Sequence, residues 1–186
     1  MAKHIAFWMH IGSSDFILDT IRNGYGIPFV NPLVSMYFKN NKSALDNSEF
    51  VNQAVSELVD YGCVHTVPFI PYVVNPLSVA TNKSGKKRLI LDLSVLNKFV
   101  KKQFKLEDWK LAIQPFREDS YLYIFDLRSG YHHLDICPQQ QTYLGFYWNG
   151  KYCCSTVLVL AFRQVFIYIL NVYVKWSNIG EKMRSI

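Results

Sequence analysis

Asp126 closes the apolar run Tyr123-Ile124-Phe125. A carboxylate ending such a strand is costly to bury unless it is paired or binds a cation. Strand-terminal carboxylates suit Mg²⁺, which takes one or two of them together with substrate phosphates. The competing reading is a turn or cap residue, and one carboxylate does not make a two-metal site. Tyr131, His132 and His133 follow a turn at Gly130. Histidines adjacent on a strand point to opposite faces, so they do not jointly ligate a metal, and a structural or surface role is expected for both. The remaining chemistry is cationic. Lys83, Lys86, Lys87, Arg88, Lys98, Lys101, Lys102 and Lys105 stand against a single acid, Asp92, a local balance of +7. On a turn and its flanking strand such side chains can neutralise phosphates and release their counterions. They can equally blunt an exposed strand edge.

These groups must be positioned by the elements around them. A short helix is expected over residues 16–22, followed by an irregular arm broken by Gly24, Gly26, Pro28 and Pro32. Residues 46–62 give the clearest helix: Asp46 and Glu49 form a capping-box-like start, and Gly62 fits the stop. Its apolar stripe, Phe50, Val51, Ala54, Val55, Leu58 and Val59, is explained by packing. Residues 67–81 read as extended, 82–85 as a turn and 88–93 as a strand, which together predict a hairpin. A short helix over 106–113 and a buried strand over 121–127 follow. Two strands, 144–148 and 151–157, flank Asn149-Gly150, a strong hairpin signal. The tail from Leu158 reads as helical. This mixed order indicates an α+β domain.

Half of the 186 residues are hydrophobic, 16% are aromatic and 18% are charged, which excludes disordered, collagen-like and coiled-coil chains. The net charge of +6 resides in the basic segment, since the other 12 basic and 13 acidic residues leave the rest at −1. Cys63, Cys137, Cys153 and Cys154 form no zinc-binding pattern, so free thiols of a reducing, intracellular compartment (cytoplasm or nucleus) are expected rather than secretion. Residues 157–174 are mostly apolar, but Arg163 near their middle costs about 2.5–3.5 kcal/mol on insertion, so no membrane span is expected. No nucleophile elbow, Walker-type loop or HExxH occurs.

Several of these segments together resemble reverse transcriptases of retroelements. Phe125-Asp126-Leu127-Arg128-Ser129-Gly130-Tyr131-His132-His133 is similar to that family's first catalytic motif, FDLxSGYH. Arg88 to Asn97, with Asp92 between them, resembles the fingers motif R-x-x-x-D-x-R-x-x-N. Val74-Asn75-Pro76-Leu77-Ser78-Val79 resembles the strand that opens the fingers hairpin. Leu144-Gly145-Phe146 and Thr156-Val157-Leu158 fall where the family has LGF and TVLPFG. The wording is closest to DIRS-type retrotransposons, whose resemblance extends to residues 21–29 and 41–45 and covers roughly residues 8–160.

The resemblance implies a partial right-hand polymerase fold, the fingers and front part of the palm, behind an N-terminal helical and irregular arm. The implied ranges are 1–45 for the arm, 46–120 for a fingers-like region, 121–157 for a partial palm and 158–186 for a degenerate helical tail. It implies that Asp126 and the backbone carbonyl of Leu127 hold catalytic Mg²⁺, and that Tyr131 screens the sugar of an incoming deoxynucleotide. Arg88 would lie over its triphosphate. Lys83, Lys86 and Lys87 would carry nucleic-acid phosphates on the fingertip, although none of them matches the family's second triphosphate ligand. The implied partners are a template–primer of RNA or DNA and dNTPs, with oligomeric state left open.

The sequence also departs from the family. Ser94 replaces the second arginine of the fingers motif, and the segment after Leu158 lacks the proline, glycine and serines of TVLPFGLSSAP. No [FY]xDD occurs, and after Asp135 the only acid is Glu181. The expectation is a truncated, frame-disrupted relic without polymerase activity. The alternative is a non-catalytic nucleic-acid-binding module.

Overall fold

A computed structural model describes residues 5–101 and 130–159. Two short helices, α1 (Ile5–His10) and α2 (Asp15–Asn23), close a small core of their own around Trp8, Ile17 and Ile21. The chain leaves α2 through Gly24 at φ +82°, where an added Cβ would lie 2.6 Å from the Cys137 nitrogen. The arm is then pinned residue by residue. Tyr25 exchanges backbone hydrogen bonds with Asp135 and Cys137, and Ile27 donates its N–H to the Gln140 side chain. Phe29 stacks on Tyr143 at 4.9 Å. The arm is irregular, as its glycines and prolines predict, yet it also supplies a strand, β1 (Met36–Tyr37).

Beyond a single helical turn, α3 (Lys42–Leu45), the long helix α4 covers Ser48–Asp60. Its exit follows the sequence closely. Gly62 adopts φ +70°, with Gly62 N–H bonded to Val59 O and Cys63 N–H to Leu58 O, the paired bonds of a Schellman stop. Its entry differs from the expected capping box. Asn47 occupies the cap, no side chain caps the helix, and Asn47 Nδ2 turns back to Ser43 O. The preceding α3 turn takes Asp46 as its C-cap, with the Asp46 N–H bonded to Lys42 O, which removes it from the α4 cap. Val51 is fully buried and Phe50, Val55 and Leu58 pack beside it, whereas Val59 remains exposed.

Strands β2 (Val64–Val67), β3 (Val73–Val74), β6 (Gly145–Trp148) and β7 (Lys151–Ser155) join β1 in a five-stranded sheet of order β1-β3-β6-β7-β2. Pairing of β1 with β3 and of β3 with β6 is parallel, and the rest is antiparallel. The β6–β7 hairpin turns at Asn149-Gly150, both at positive φ, as the dipeptide predicts. Strands from the ranges ascribed to arm, fingers and palm thus share one sheet. A separate hairpin, β4 (Leu77–Thr81) with β5 (Lys87–Leu91), projects from it, also as predicted. The main core gathers where sheet, hairpin root and α4 meet, around Val51, Leu77, Leu93, Leu96 and Phe146. All four cysteines are free. Cys63, Cys153 and Cys154 are buried. Burial, with Cys153 adjacent, pushes the Cys154 thiol up to about 11.

The expected elements over 106–113 and 121–127 lie outside the described residues, and so does the tail beyond 159. Among the described residues no helix is long and apolar enough to cross a membrane.

The junction of sheet and hairpin is tight at Gly145. A Cβ there would lie 2.3 Å from Pro71 Cβ and 2.7 Å from the Val73 carbonyl oxygen. Gly145→Ala is therefore expected to lower stability by about 1–3 kcal/mol, the usual cost of overpacking, read as a fall in the urea midpoint at unchanged slope.

Candidate nucleic-acid interface

The hairpin that carries the cations is shaped by local chemistry. The Asn82 side-chain oxygen accepts from the Ser84 N–H (3.1 Å), the Ser84 hydroxyl (2.8 Å) and the Lys86 N–H (2.8 Å), which ties the turn together. Gly85 takes φ +80°, where a side chain would be strained. Lys83, Lys86, Lys87 and Arg88 are all exposed on this tip.

They do not form a single surface. Successive residues of a strand alternate faces. Lys87, Leu89 and Leu91 lie on the face of β5 whose partners include Val79 and Leu77, the face that joins the core. Lys87 accordingly lines an open groove with Asp46, Glu49, Phe50 and Gln53 beside the start of α4. Two carboxylates oppose its charge there. Arg88 and Ile90, opposite Ala80 and Ser78, lie on the other face. The four exposed cations therefore divide between the two faces and the turn. Arg88 is separated from Lys87, while Lys83 and Lys86 remain in the turn. Of the other basic residues in the +7 segment, Lys98 belongs to a 3-10 turn (Leu96–Lys98), and Lys101 donates its backbone N–H to Pro28 O, away from the tip. Lys102 and Lys105 lie outside the described residues.

Asp92 ends β5 on the Arg88 side and is held in place by Ser94. The Ser94 hydroxyl and N–H both donate to Asp92 Oδ1, at 2.5 and 3.0 Å. These two bonds, with a smaller contribution from Asn41, hold the carboxyl below its ordinary value against a modest effect of burial. Ser94 thus supports Asp92 through neutral donors.

The outer edge of β4 is covered in an unexpected way. Asn40 Oδ1 accepts the Leu77 N–H (2.9 Å) and Ser43 Oγ accepts the Val79 N–H (3.1 Å), while Asn41 N–H donates to Leu77 O. Asn40 Nδ2 also reaches the Tyr147 carbonyl (2.9 Å), linking the hairpin to the sheet. Sequence reading missed this clasp, because side chains replacing a strand partner leave no periodic signal. It also missed the meeting of Tyr37, Tyr147 and Tyr152. Placing Tyr147 opposite Tyr152 follows from the two-residue turn, but bringing Tyr37 there requires the β1 pairing.

Asp126 and Leu127 lie outside the described residues. Of Tyr131 the backbone is described, in a 3-10 helix over Gly130–His133. The two histidines are thus on a tight helical turn rather than a strand. Burial, and then His133, lower the basicity of His132. Among the described residues no three His, Cys, Asp or Glu side chains gather as a metal site.

A two-stranded hairpin beside a mixed sheet, with helix α4 packed against both, makes a mixed α+β fold of the kind found in solved reverse transcriptases. The solved structures similar to this chain include the prototype foamy virus protease–reverse transcriptase. Its selenomethionine-labelled CSH mutant matches with a TM-score of 0.53 and 16% identity, over 75% of this chain and 19% of the viral one. A foamy viral protease–reverse transcriptase in complex with double-stranded DNA matches with a TM-score of 0.52 and 22% identity, over 76% of this chain and 28% of that one. The chain thus spans 19–28% of the viral chains' length. No family model matches the sequence, and no curated protein matches it.

The Asp92 geometry carries a pH expectation. A depressed folded-state pKa contributes stability above the unfolded value, and that contribution is lost as pH falls through the folded pKa. Ser94→Ala should raise the Asp92 pKa towards its ordinary value, lower stability above that value, and flatten the further loss of stability on acidification, because the Asp92 contribution is already gone. A carboxyl-carbon NMR titration alongside acid melts reads both, and an unmoved Asp92 titration would refute the assignment.

Proposed function

We propose that this chain is the fingers and front-palm fragment of a retrotransposon reverse transcriptase, closest to the DIRS type, and that it binds nucleic acid through the β4–β5 tip. The carrying observation is the set of four exposed cations between positions 83 and 88, at the end of a projecting hairpin on a reverse-transcriptase-like fold. Phosphate neutralisation by such a tip supplies affinity without base reading. In this reading Lys83 and Lys86 take template–primer phosphates and Arg88 takes the triphosphate of a dNTP. Lys87, opposed by Asp46 and Glu49, contributes less. Asp126 and the Leu127 carbonyl would hold Mg²⁺, which would neutralise charge on the transferring phosphoryl group. Tyr131 would screen the nucleotide sugar.

Two-metal transfer needs carboxylates converging from separate strands. The sequence offers Asp126 with no paired acids after Asp135, so the chain on its own is read as a nucleic-acid binder without polymerase activity.

Two measurements check this. Affinity for an RNA–DNA hybrid should fall steeply with salt, and Lys83→Ala and Lys86→Ala should each flatten the log–log slope by about one, with Lys87→Ala doing less and Arg88→Ala leaving it nearly unchanged. Affinity indifferent to salt would overturn the binding reading. In primer extension with Mg²⁺ or Mn²⁺ the chain alone should incorporate nothing. Template-dependent synthesis abolished by Asp126→Ala would overturn the inactive assignment.

A further inference from the structure

The outer face of the five-stranded sheet is closed at one end and open at the other. Tyr37, Val74, Gly145 and Cys154 follow one another across β1, β3, β6 and β7 in register, so they share a face. Pro71 lies against Gly145, and Val74 and Cys154 are buried. Two residues further along the same face Tyr147 stands opposite Tyr152, and there the covering stops. The rings of Tyr147 and Tyr152 are 4.9 Å apart, inclined at 51°. Tyr37, 51% exposed, meets Tyr152 edge-on at 6.5 Å.

Tyr37 is exposed and Tyr147 and Tyr152 are half-buried behind it, and none of the three belongs to either core. Their electrostatic surroundings favour an anion. None of the five strands contains an aspartate or glutamate, and exposed Lys39 and Lys151 lie two residues beyond Tyr37 and next to Tyr152. The cluster is also continuous with the cationic hairpin. Asn40 binds the Tyr147 carbonyl and the Leu77 N–H of β4, and Asn41 Nδ2 donates to Ser78 Oγ, on the Arg88 side of the hairpin. Tyr37 and Asn41 are four positions apart, at most about 14 Å of chain.

We infer that Tyr37, with Tyr147 and Tyr152 behind it, is a stacking platform for bases of a single-stranded nucleic acid that runs on from the hairpin tip. Aromatic rings stack on any base, so this contact is sequence-tolerant and prefers unpaired strands. The inference rests on the proposed nucleic-acid binding and adds a second, non-electrostatic contact to it.

The test compares a 12-nucleotide single-stranded RNA with a blunt duplex of the same length by fluorescence anisotropy across a salt series. Tyr37→Ala should weaken single-strand binding roughly tenfold, within the range for one lost base stack. The salt slope and the duplex affinity should stay unchanged. Tyr37→Phe should bind as the unaltered chain does. Tyr37→Leu, which keeps apolar bulk without a ring face, should behave as Tyr37→Ala does, with melting curves confirming that each variant folds. Wild-type affinity in Tyr37→Ala and Tyr37→Leu, or equal losses on duplex and single strand, would overturn the platform while leaving binding at the tip intact. A chain that binds neither RNA would overturn both readings. Dimers in sedimentation that become monomers in Tyr37→Ala would mark the face as a self-association surface and overturn the platform.

Discussion

The hairpin owes its place to one buried amide. Asn75 is 1% exposed where the chain leaves β3 and, through Pro76, enters β4. Its Nδ2 donates to Tyr143 O and Gly145 O, both at 3.0 Å, and its own N–H donates to Gly145 O at 2.8 Å. A buried amide left without such partners costs a few kcal/mol, so the contact admits little variation in geometry. Pro76 O then accepts the Asp92 N–H, which returns β5 to the same point. The basic tip is therefore the free end of a lever whose root is fixed by Asn75 and by the glycine that allows Pro71 to close over the sheet.

From that root, strand alternation decides which charges can act together. The sequence places Lys86, Lys87 and Arg88 side by side, yet the pleat sends Lys87 towards the acids before α4 and Arg88 to the opposite face with Asp92 and Ser78. Asp92, Ser94 and Asn41 form a polar cluster on the same side of the hairpin as Arg88, in which neutral donors steady the carboxylate. Net charge alone describes this region poorly, because the opposed carboxylates offset one cation and leave the others exposed.

Elements governed by local chemistry were legible in the sequence. The helix over 46–62 ends at Gly62 because a left-handed residue is required there, and both hairpins follow from turn residues at Asn149-Gly150 and Asn82 to Gly85. Long-range arrangements were not legible. The entry of β1 into the sheet, the Asn40 and Ser43 clasp on β4, and the tyrosine cluster all depend on partners far apart in the chain. The helix start was misplaced by one residue because a preceding turn competed for Asp46. The histidines were read on a strand because a tight 3-10 turn has no period of its own. The fold class was carried by the ordered motifs, each weak alone. The proposed metal ligands Asp126 and Leu127 fall outside the described residues, and their placement rests on the resemblance.

The sheet order also dictates a sequence of events in time. In a chain made from its N-terminus, β2 and β3 emerge long before β6 and β7, yet Val64 must pair with Ser155 and Val74 with Gly145. Until the last strands arrive, the early ones have no central partner, and their backbone edges remain open to any neighbouring strand. Closure of such non-local pairings is slow compared with formation of α4 or of either hairpin. The late β6–β7 hairpin, whose turn forms locally at Asn149-Gly150, is thus the piece that joins β3 to β2 among the described strands.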